Sequence, residues 1–399
     1  MAERKPRVLL LTHSYTPELS PPQRRWESFV YAMRRDDWSI IVVTPRVSAP
    51  ERNRTRSLNT FSSEIGLHGE VIRSFPSIKK QFGIASKLLK HSLDGLLMVP
   101  CAIFGAKPDV VVVTVPALPT LFTGYVVSRI LRRPLIVEMR DAWPALISDS
   151  RILKWDWLSQ LAQKAITYVQ CSASAVVTVT DGVAQALLDA GVRRMAVIHN
   201  GISTRNYQEL EPAVIKTGSL RILYLGNLGE SQKLDSVLMA ARISNKSVEM
   251  RIVGDGTAKN KLRDYARTNN IKVDFCNSVR GAAVKEHYEW ADTCIVSLRD
   301  DWKSFEHTVP SKIYELLSLS KHITGLVTGE AARVIKRVNG GHIVDHDPIR
   351  IAELWAELSS RPDLLNVGSL GKEWVFENAS LEKNGEKFMD LILDILKKE

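Results

Sequence analysis

Apolar residues in this chain fall into two patterns. Short β-branched runs, bounded by polar or glycine-containing turns, alternate with longer stretches in which apolar positions recur every three or four residues. The first pattern predicts buried parallel strands and the second amphipathic helices. Arg7–Leu11, Ser39–Thr44, Val110–Val115, Leu135–Glu138, Ala175–Thr180 and Ala196–His199 read as the strands of a first sheet, opened as a βαβ unit by a helix over Arg24–Arg35. A polar segment without apolar periodicity, residues 203–219, interrupts the series. Strands then recur at Leu220–Leu225, Val248–Val253, Lys272–Cys276, Thr293–Leu298 and His322–Val327. Helices are expected between them over Ser231–Ile243, Ala258–Asn269 and Ala283–Trp290, with another opening at Pro310.

The expectation is an α/β protein of two Rossmann-like, doubly wound domains. The first spans 1–207 and the second 208–374, and a helical tail, 375–399, packs back towards the first. A length of 399 residues, 45% hydrophobic and 25% charged, suits two soluble globular domains. Residues 48–60, rich in Arg, Ser and Asn, read as an exposed loop.

Two apolar stretches test that reading. Val8–Leu11 is too short for a signal peptide and lacks a small-residue cleavage site. Val110–Ser128 is uncharged, but Pro116 and Pro119 and its β-branched first half indicate a strand, a loop and a helix rather than a membrane span. Four cysteines lie far apart without a CxxC pair, as expected of free thiols in a reducing compartment.

Charge changes the picture once divided. Residues 1–207 hold 27 Lys and Arg against 16 Asp and Glu, a balance of +11, while the remainder holds 27 against 28. The whole excess therefore lies in the first half, which suits a domain facing an anionic partner.

The densest candidate chemistry is His307-Thr308-Val309-Pro310-Ser311-Lys312-Ile313-Tyr314-Glu315-Leu316-Leu317. Thr308 can cap a helix and Pro310 suits its first turn, while Ile313, Leu316 and Leu317 turn one side inward. The free N–H groups of such an entrance seat a phosphate. Lys312 adds a full charge for a diphosphate. Glu315, three residues on and on the same face, offers a carboxylate for ribose hydroxyls. An ordinary capped helix with a surface ion pair fits the same residues. Gly226-Asn227-Leu228-Gly229 and Gly254-Asp255-Gly256 each end a strand, where glycine lets backbone approach phosphate or simply makes a turn. Asp345-His346-Asp347 has the form of a metal-binding DxD, but precedes Pro348 and reads better as a helix cap. His13, at the end of the first strand, reaches either a site or a plain hydrogen bond. No cluster has metal-ligand spacing.

In this order and spacing, Tyr15-Thr16-Pro17-Glu18, Arg140-Asp141-Ala142-Trp143-Pro144, Asn200-Gly201, the two glycine loops, Pro310-Ser311-Lys312 with Glu315, and Gly340-Gly341 resemble GT-B glycosyltransferases of the retaining family-4 type. The likeness spans nearly the whole chain and points to the bacterial branch that builds surface polysaccharides. It implies two domains facing across a cleft, the first binding the acceptor and the second the donor. On that likeness Glu306 or His307 faces the transferred sugar and Lys312 stabilises the leaving diphosphate. Asp141, in the loop after a strand, is the acceptor-side catalytic candidate or else a loop carboxylate paired with Arg140. Gly226, Asn227, Gly229, Lys233, Gly254, Asp255, Gly256, Ser311 and Glu315 complete the donor site.

The chain departs from the family pattern in places. The family's first glutamate falls on His307, its usual donor-loop Arg and Lys fall on Asn227 and Gln232, and Lys233 either replaces the charge or is merely solvated. Ser20-Pro21-Pro22 replaces glycines and offers fewer N–H donors to a phosphate, a loss for which Arg24 or Arg25 is placed to compensate.

The expected activity is transfer of a hexose or N-acetylhexosamine from a nucleotide-sugar, UDP-linked, to a lipid-linked saccharide, with retention and with no metal or other cofactor. Arg151–Leu158, Lys79-Lys80 and Lys87-Leu88-Leu89-Lys90 mix basic and apolar side chains; each alone also fits an amphipathic core helix with solvated lysines, but their concentration in the basic half favours a peripheral contact with the inner leaflet of the cytoplasmic membrane. Nucleic acid is not an expected partner, since no recognition motif accompanies the charge. A GT-B sugar-nucleotide epimerase and a non-catalytic GT-B-like binding protein are the alternatives.

Overall fold

A computed structural model describes residues 4–18, 20–46, 61–77, 83–115, 118–140, 156–205, 210 and 218–398. The chain divides into two compact units, Met1–Asn200 with Leu381–Glu399, and Gly201–Ser380. The predicted loop 48–60, Lys79-Lys80 and the stretch 141–155, which holds Asp141, lie outside the described residues.

The first unit is built on an eight-stranded sheet of order β3-β4-β2-β1-β5-β6-β7-β8. Its strands are β1 (Arg7–Leu11), β2 (Ser39–Pro45), β3 (Ser62–Ile65), β4 (Val71–Phe75), β5 (Val110–Val115), β6 (Leu135–Met139), β7 (Ala175–Thr178) and β8 (Met195–Val197). Every neighbouring pair is parallel except β3 against β4. The helices are α1 (Pro21–Arg35), α2 (Gly83–Ile103), α3 (Leu118–Leu131), α4 (Asp156–Ser172), α5 (Asp181–Asp189) and, from the end of the chain, α13 (Leu381–Leu396).

Alternation of side chains along the strands builds a core on each face of the sheet. Leu9, Leu11, Val111, Val113 and Val137 face α2, α3, α4 and α5 through Met98, Leu121, Ile166 and Leu187. Val8, Leu10, Val110, Val112 and Ile136 face α1 and α13 through Trp26, Phe29, Phe388 and Ile392. Both faces are covered, so the strands read as unbroken apolar runs.

The second unit has a six-stranded, all-parallel sheet of order β11-β10-β9-β12-β13-β14. Its strands are β9 (Leu220–Asn227), β10 (Val248–Asp255), β11 (Asp274–Cys276), β12 (Thr293–Ser297), β13 (His322–Leu326) and β14 (Gly341–Ile343). The helices α6 (Asp235–Ser244), α7 (Lys259–Thr268) and α11 (Pro348–Ser360) cover one face, through Val237, Leu262 and Trp355. On the other lie α8 (Ala282–Trp290), α9 (Ser311–Ser318), α10 (Gly329–Arg337) and α12 (Leu370–Asn378), through Tyr288, Leu316, Ile335 and Val375. Among the described residues no helix is long and apolar enough to cross a membrane, and Val110–Ser128 is divided between β5 and α3.

A buried ion pair pins α1 to the first sheet. Arg25, 1% exposed, donates from Nε to Glu138 Oε1 at 2.7 Å and from Nη2 to the Ile198 carbonyl at 2.9 Å. Trp26 Nε1 donates to the other oxygen of Glu138 at 2.8 Å. Burial alone would raise the Glu138 pKa, but the Arg25 and Arg140 charges outweigh it and hold the carboxyl below its ordinary 4.5. Its stabilising effect is therefore present above that ordinary value and is lost as pH falls towards the folded value. Removing one partner strands a buried charge. Arg25→Met is expected to cost about 3–5 kcal/mol, and Arg25→Met with Glu138→Leu to recover much of that loss, in denaturant titrations at neutral pH. A double variant no more stable than the single one would contradict this account.

Candidate active site

A parallel sheet sends every strand-end loop to one edge. In the second unit that edge gathers the loops after β9, β10, β12 and β14. The strand ends of β9 and β10 run in register, Gly226 beside Gly254 and Asn227 beside Asp255. Leu228 N donates to Asp255 O at 2.9 Å and Ala258 N to Leu228 O at 2.8 Å. A Cβ on Gly254 would strike the Gly226 carbonyl, and one on Gly256 the Leu228 carbonyl. These glycines are thus demanded by backbone packing between the two loops. The same packing leaves Asn227 and Asp255 exposed at the edge, with Gly226, Gly229 and Gly256 half-buried.

After Gly229 the chain makes a 3-10 turn, Glu230–Gln232, and Gln232 Oε1 accepts from Gly229 N at 3.0 Å. Lys233 adopts φ +44° and extends its ammonium to Asp300 Oδ1 at 2.6 Å. It is therefore ion-paired, and that contact holds Asp300 below the usual carboxylate range. Next to it Arg299 makes two 2.6 Å bonds to Asp301, whose pKa is lowered to about 2, first by those bonds. His346 joins the loops: its Nδ1 lies 3.1 Å from Ser236 Oγ and its Nε2 2.8 Å from the Leu298 carbonyl. Asp347 caps α11 by accepting from Ile349 N at 2.9 Å, so the Asp345-His346-Asp347 triplet is a cap and a loop tie.

Helix α9 carries the other half of the expected donor site. Its N-cap is Pro310, and no side chain caps its first turn. The expected Thr308 cap is corrected: Thr308 ends the preceding 3-10 turn, Lys303–His307, and its hydroxyl donates to Ser304 O at 3.1 Å. Val309 precedes a proline and is biased away from the helical region, and Pro310 has φ −58° with an extended ψ of 134°, so the helix starts at Ser311. Lys312 Nζ then donates to Glu315 Oε2 at 2.7 Å and to Tyr288 Oη at 2.8 Å. Both members of the ion pair are about a quarter exposed, at 25% and 30%. Ser311 is half-buried at the same entrance.

Glu306 is exposed and His307 half-buried in the 3-10 turn. The first turn of α10 presses on that segment, for a Cβ on Gly329, at φ +57°, would strike the Glu306 carbonyl. The structure thus brings Lys312 and Glu315 together with Tyr288, and the two glycine loops together. It sets Lys233 in a separate pair. Tyr288 and Asp300 escaped the sequence reading. Tyr288 is hidden among the apolar positions of α8, and nothing in the sequence ties Asp300 to a residue 67 positions away.

In the first unit Ser20 caps α1, accepting from Gln23 N at 3.3 Å, with Pro21 and Pro22 in the first turn. Arg25 is committed to Glu138 and cannot serve a phosphate; Arg24 is exposed. His13 packs edge-on to His91 at 4.9 Å, 3.9 Å from Asp94. Burial first, then the neighbouring His91 and Lys90, lowers its pKa to about 3. His13, His91 and Asp94 could together offer ligand atoms to a metal. Lys90 already supplies positive charge there, at 3.0 Å from Asp94 Oδ2.

The sequence profile described as Glycosyltransferase Family 4 matches residues 23–206. No protein of curated function matches the chain in sequence. Among solved structures, sucrose-phosphate synthase from Thermosynechococcus elongatus is similar over 99% of this chain and 100% of its own, at TM-score 0.76 and 12% identity. Anabaena HepE in complex with UDP-glucose is similar over 99% and 100%, at 0.70 and 15%. The apo form of the lipopolysaccharide outer core galactosyltransferase WaaB is similar over 97% and 99%, at 0.61 and 11%. The domain match makes this chain a glycosyltransferase, with a Glycosyltransferase Family 4 domain in its first unit, and the structural likeness gives it the GT-B fold.

Proposed function

We propose that the chain transfers a hexose or N-acetylhexosamine from a UDP-sugar to a lipid-linked saccharide, with retention, at the cytoplasmic face of a membrane. The observation that carries the donor half is the trio at the mouth of α9: Lys312, Glu315 and Tyr288 beside a helix start that no side chain caps. Uncapped N–H groups and an ammonium stabilise a departing diphosphate as the bond between the anomeric carbon and the phosphate oxygen breaks. The acceptor hydroxyl attacks the same face of the sugar, and its proton passes to the β-phosphate oxygen. Glu315 is placed to accept hydrogen bonds from ribose hydroxyls. The complex of HepE with UDP-glucose supports a uridine diphosphate donor, and the role named for WaaB supports a surface-polysaccharide acceptor. The acceptor half rests on the +11 balance of residues 1–207, which suits a diphosphate-bearing lipid. Asp141, outside the described residues, is kept as the acceptor-side group.

Lys312→Ala is expected to lower kcat by about 100-fold or more, as removal of one transition-state stabiliser does. It should leave the melting temperature almost unchanged, because a partly exposed pair adds little to stability. Steady-state assays alongside thermal melts decide it, and parallel losses in both would refute the assignment. Glu315→Gln is expected to bring the affinities for UDP and 2′,3′-dideoxy-UDP within about threefold of each other, since the strong charged acceptor for the ribose hydroxyls is gone. Calorimetry with both ligands provides the check, and an unchanged preference would remove Glu315 from the ribose. Product analysis with and without a lipid-linked acceptor separates transfer from epimerisation.

A further inference from the structure

Helix α3 is built inside out. Its buried positions are Thr120, Leu121, Thr123, Gly124, Val127 and Ser128, four of them small or hydroxyl-bearing. Its exposed positions at spacings of four are Phe122, Val126 and Ile130, at 37%, 42% and 54%. Close packing explains the inner side. Gly124 lies against Val113 of β5, where a Cβ would come within 2.8 Å of two side-chain carbons, and Thr123 Oγ1 donates to the Gly95 carbonyl of α2 at 3.1 Å. Among the described residues nothing in the packing of the unit explains the outer side, because a helix flanking a sheet normally turns its polar face to water.

The neighbouring helices continue the pattern. On α2, Leu89, Leu93 and Leu96 stand exposed at helical spacing, at 62%, 38% and 69%. On α4, Trp157 and Leu161 do the same at 64% and 56%. Tyr125 and Tyr168, with hydroxyls 3.4 Å apart, tie α3 to α4. Of the 18 large hydrophobic side chains exposed among the described residues, 11 lie on α2, α3 and α4 or at their ends, and three in the whole second unit. These side chains stand on three adjacent helices that cover one face of the sheet, and exposed apolar faces mark contact surfaces.

Charge selects the occupant. By sequence the three helices hold only two carboxylates, Asp94 and Asp156, against Lys87, Lys90, Arg129 and Lys164. Asp94 is buried and already bonded to Lys90. Exposed Lys107, Arg129, Arg132 and Arg133 stand at the helix ends. Apolar and aromatic side chains amid cations, with Asp94 withdrawn from the surface, match the acyl–headgroup boundary of an anionic bilayer.

We infer that the face formed by α2, α3 and α4 is a membrane-docking surface whose apolar side chains enter the interface of an anionic bilayer. This deepens the proposed lipid-linked acceptor and rests on that reading for its purpose. Apolar insertion carries the binding and the cations orient it. Binding therefore survives salt that would screen a purely electrostatic contact.

The full-length protein is to be sedimented with vesicles of phosphatidylethanolamine and phosphatidylglycerol, with phosphatidylcholine vesicles as the neutral comparison. The inference requires binding to the anionic vesicles that persists at about 0.5 M NaCl. It further requires binding at least about 10-fold weaker for Phe122→Ser/Val126→Ser/Ile130→Ser, since three apolar side chains lose their burial. Leu96→Gln with Trp157→Gln tests the same face should the triple variant fail to fold. Failure of the wild type to bind vesicles would overturn the inference, as would equal binding by folded variants. So would a wild-type dimer in sedimentation velocity that these substitutions dissociate, because a second copy would then be the occupant. Calorimetry with UDP on the same proteins keeps the two readings apart. Absent donor binding refutes the proposed function alone, and intact donor binding with no vesicle binding refutes the docking surface alone.

Discussion

A parallel sheet has one edge from which all its loops emerge, and in the second unit that constraint decides where chemistry can occur. The strands β9 and β10 lie in register up to their last residues. Their loops leave together and so tightly that Gly254 and Gly256 have no room for side chains. The loop that follows β12 bonds back to the first of these, through Arg299 N to Ser231 O at 2.9 Å and Lys233 to Asp300. Helix α9, which follows β12 and precedes β13 in sequence, packs on one face of the sheet with its apolar side, Ile313, Leu316 and Leu317, in the core. Burying that side is what turns Lys312 and Glu315 outward.

Three cations at this edge are held in ion pairs. Lys312 is held by Glu315 and Tyr288, Lys233 by Asp300, and Arg299 by Asp301. These pairs are partly exposed, so water and salt weaken them and they contribute little to folding. Their value lies in position. A side chain already fixed in direction loses less entropy when a phosphate replaces or joins its carboxylate partner. The buried pair of Arg25 and Glu138 is the opposite case. It is dry, joined by several hydrogen bonds, and committed to holding α1 on the first sheet.

Much of the architecture was legible because both sheets are buried on two faces, so their strands appear as apolar runs. Arg7–Leu11 and Val110–Val115 were read at their observed bounds, and Leu220–Leu225 extends by two residues to Asn227. The short β3 and β4 were not anticipated. β3, the edge strand, has a largely exposed sequence, Ser-Ser-Glu-Ile, that lacks an apolar pattern. The α3 helix was read, but its reversal was not, since periodicity shows that a helix has two sides without showing which one a glycine and three hydroxyls will make the inner one. In the site, the Lys312–Glu315 pair followed from spacing alone. The Thr308 cap failed because the helix starts two residues later, at Ser311 with Pro310 as its N-cap. Lys233 remained open because its partner, Asp300, comes from a different loop. Asp141 lies outside the described residues and gains no structural account.

The central claim is that the entrance of α9, through Lys312, grips a diphosphate. Its most direct test is calorimetric titration of the full chain with UDP and with uridine. The account predicts that wild type binds UDP more tightly than uridine by about 100-fold, as a charge-assisted grip on two phosphates implies, and that Lys312→Ala removes most of the difference while retaining uridine. An equal preference for UDP in wild type and variant would contradict it.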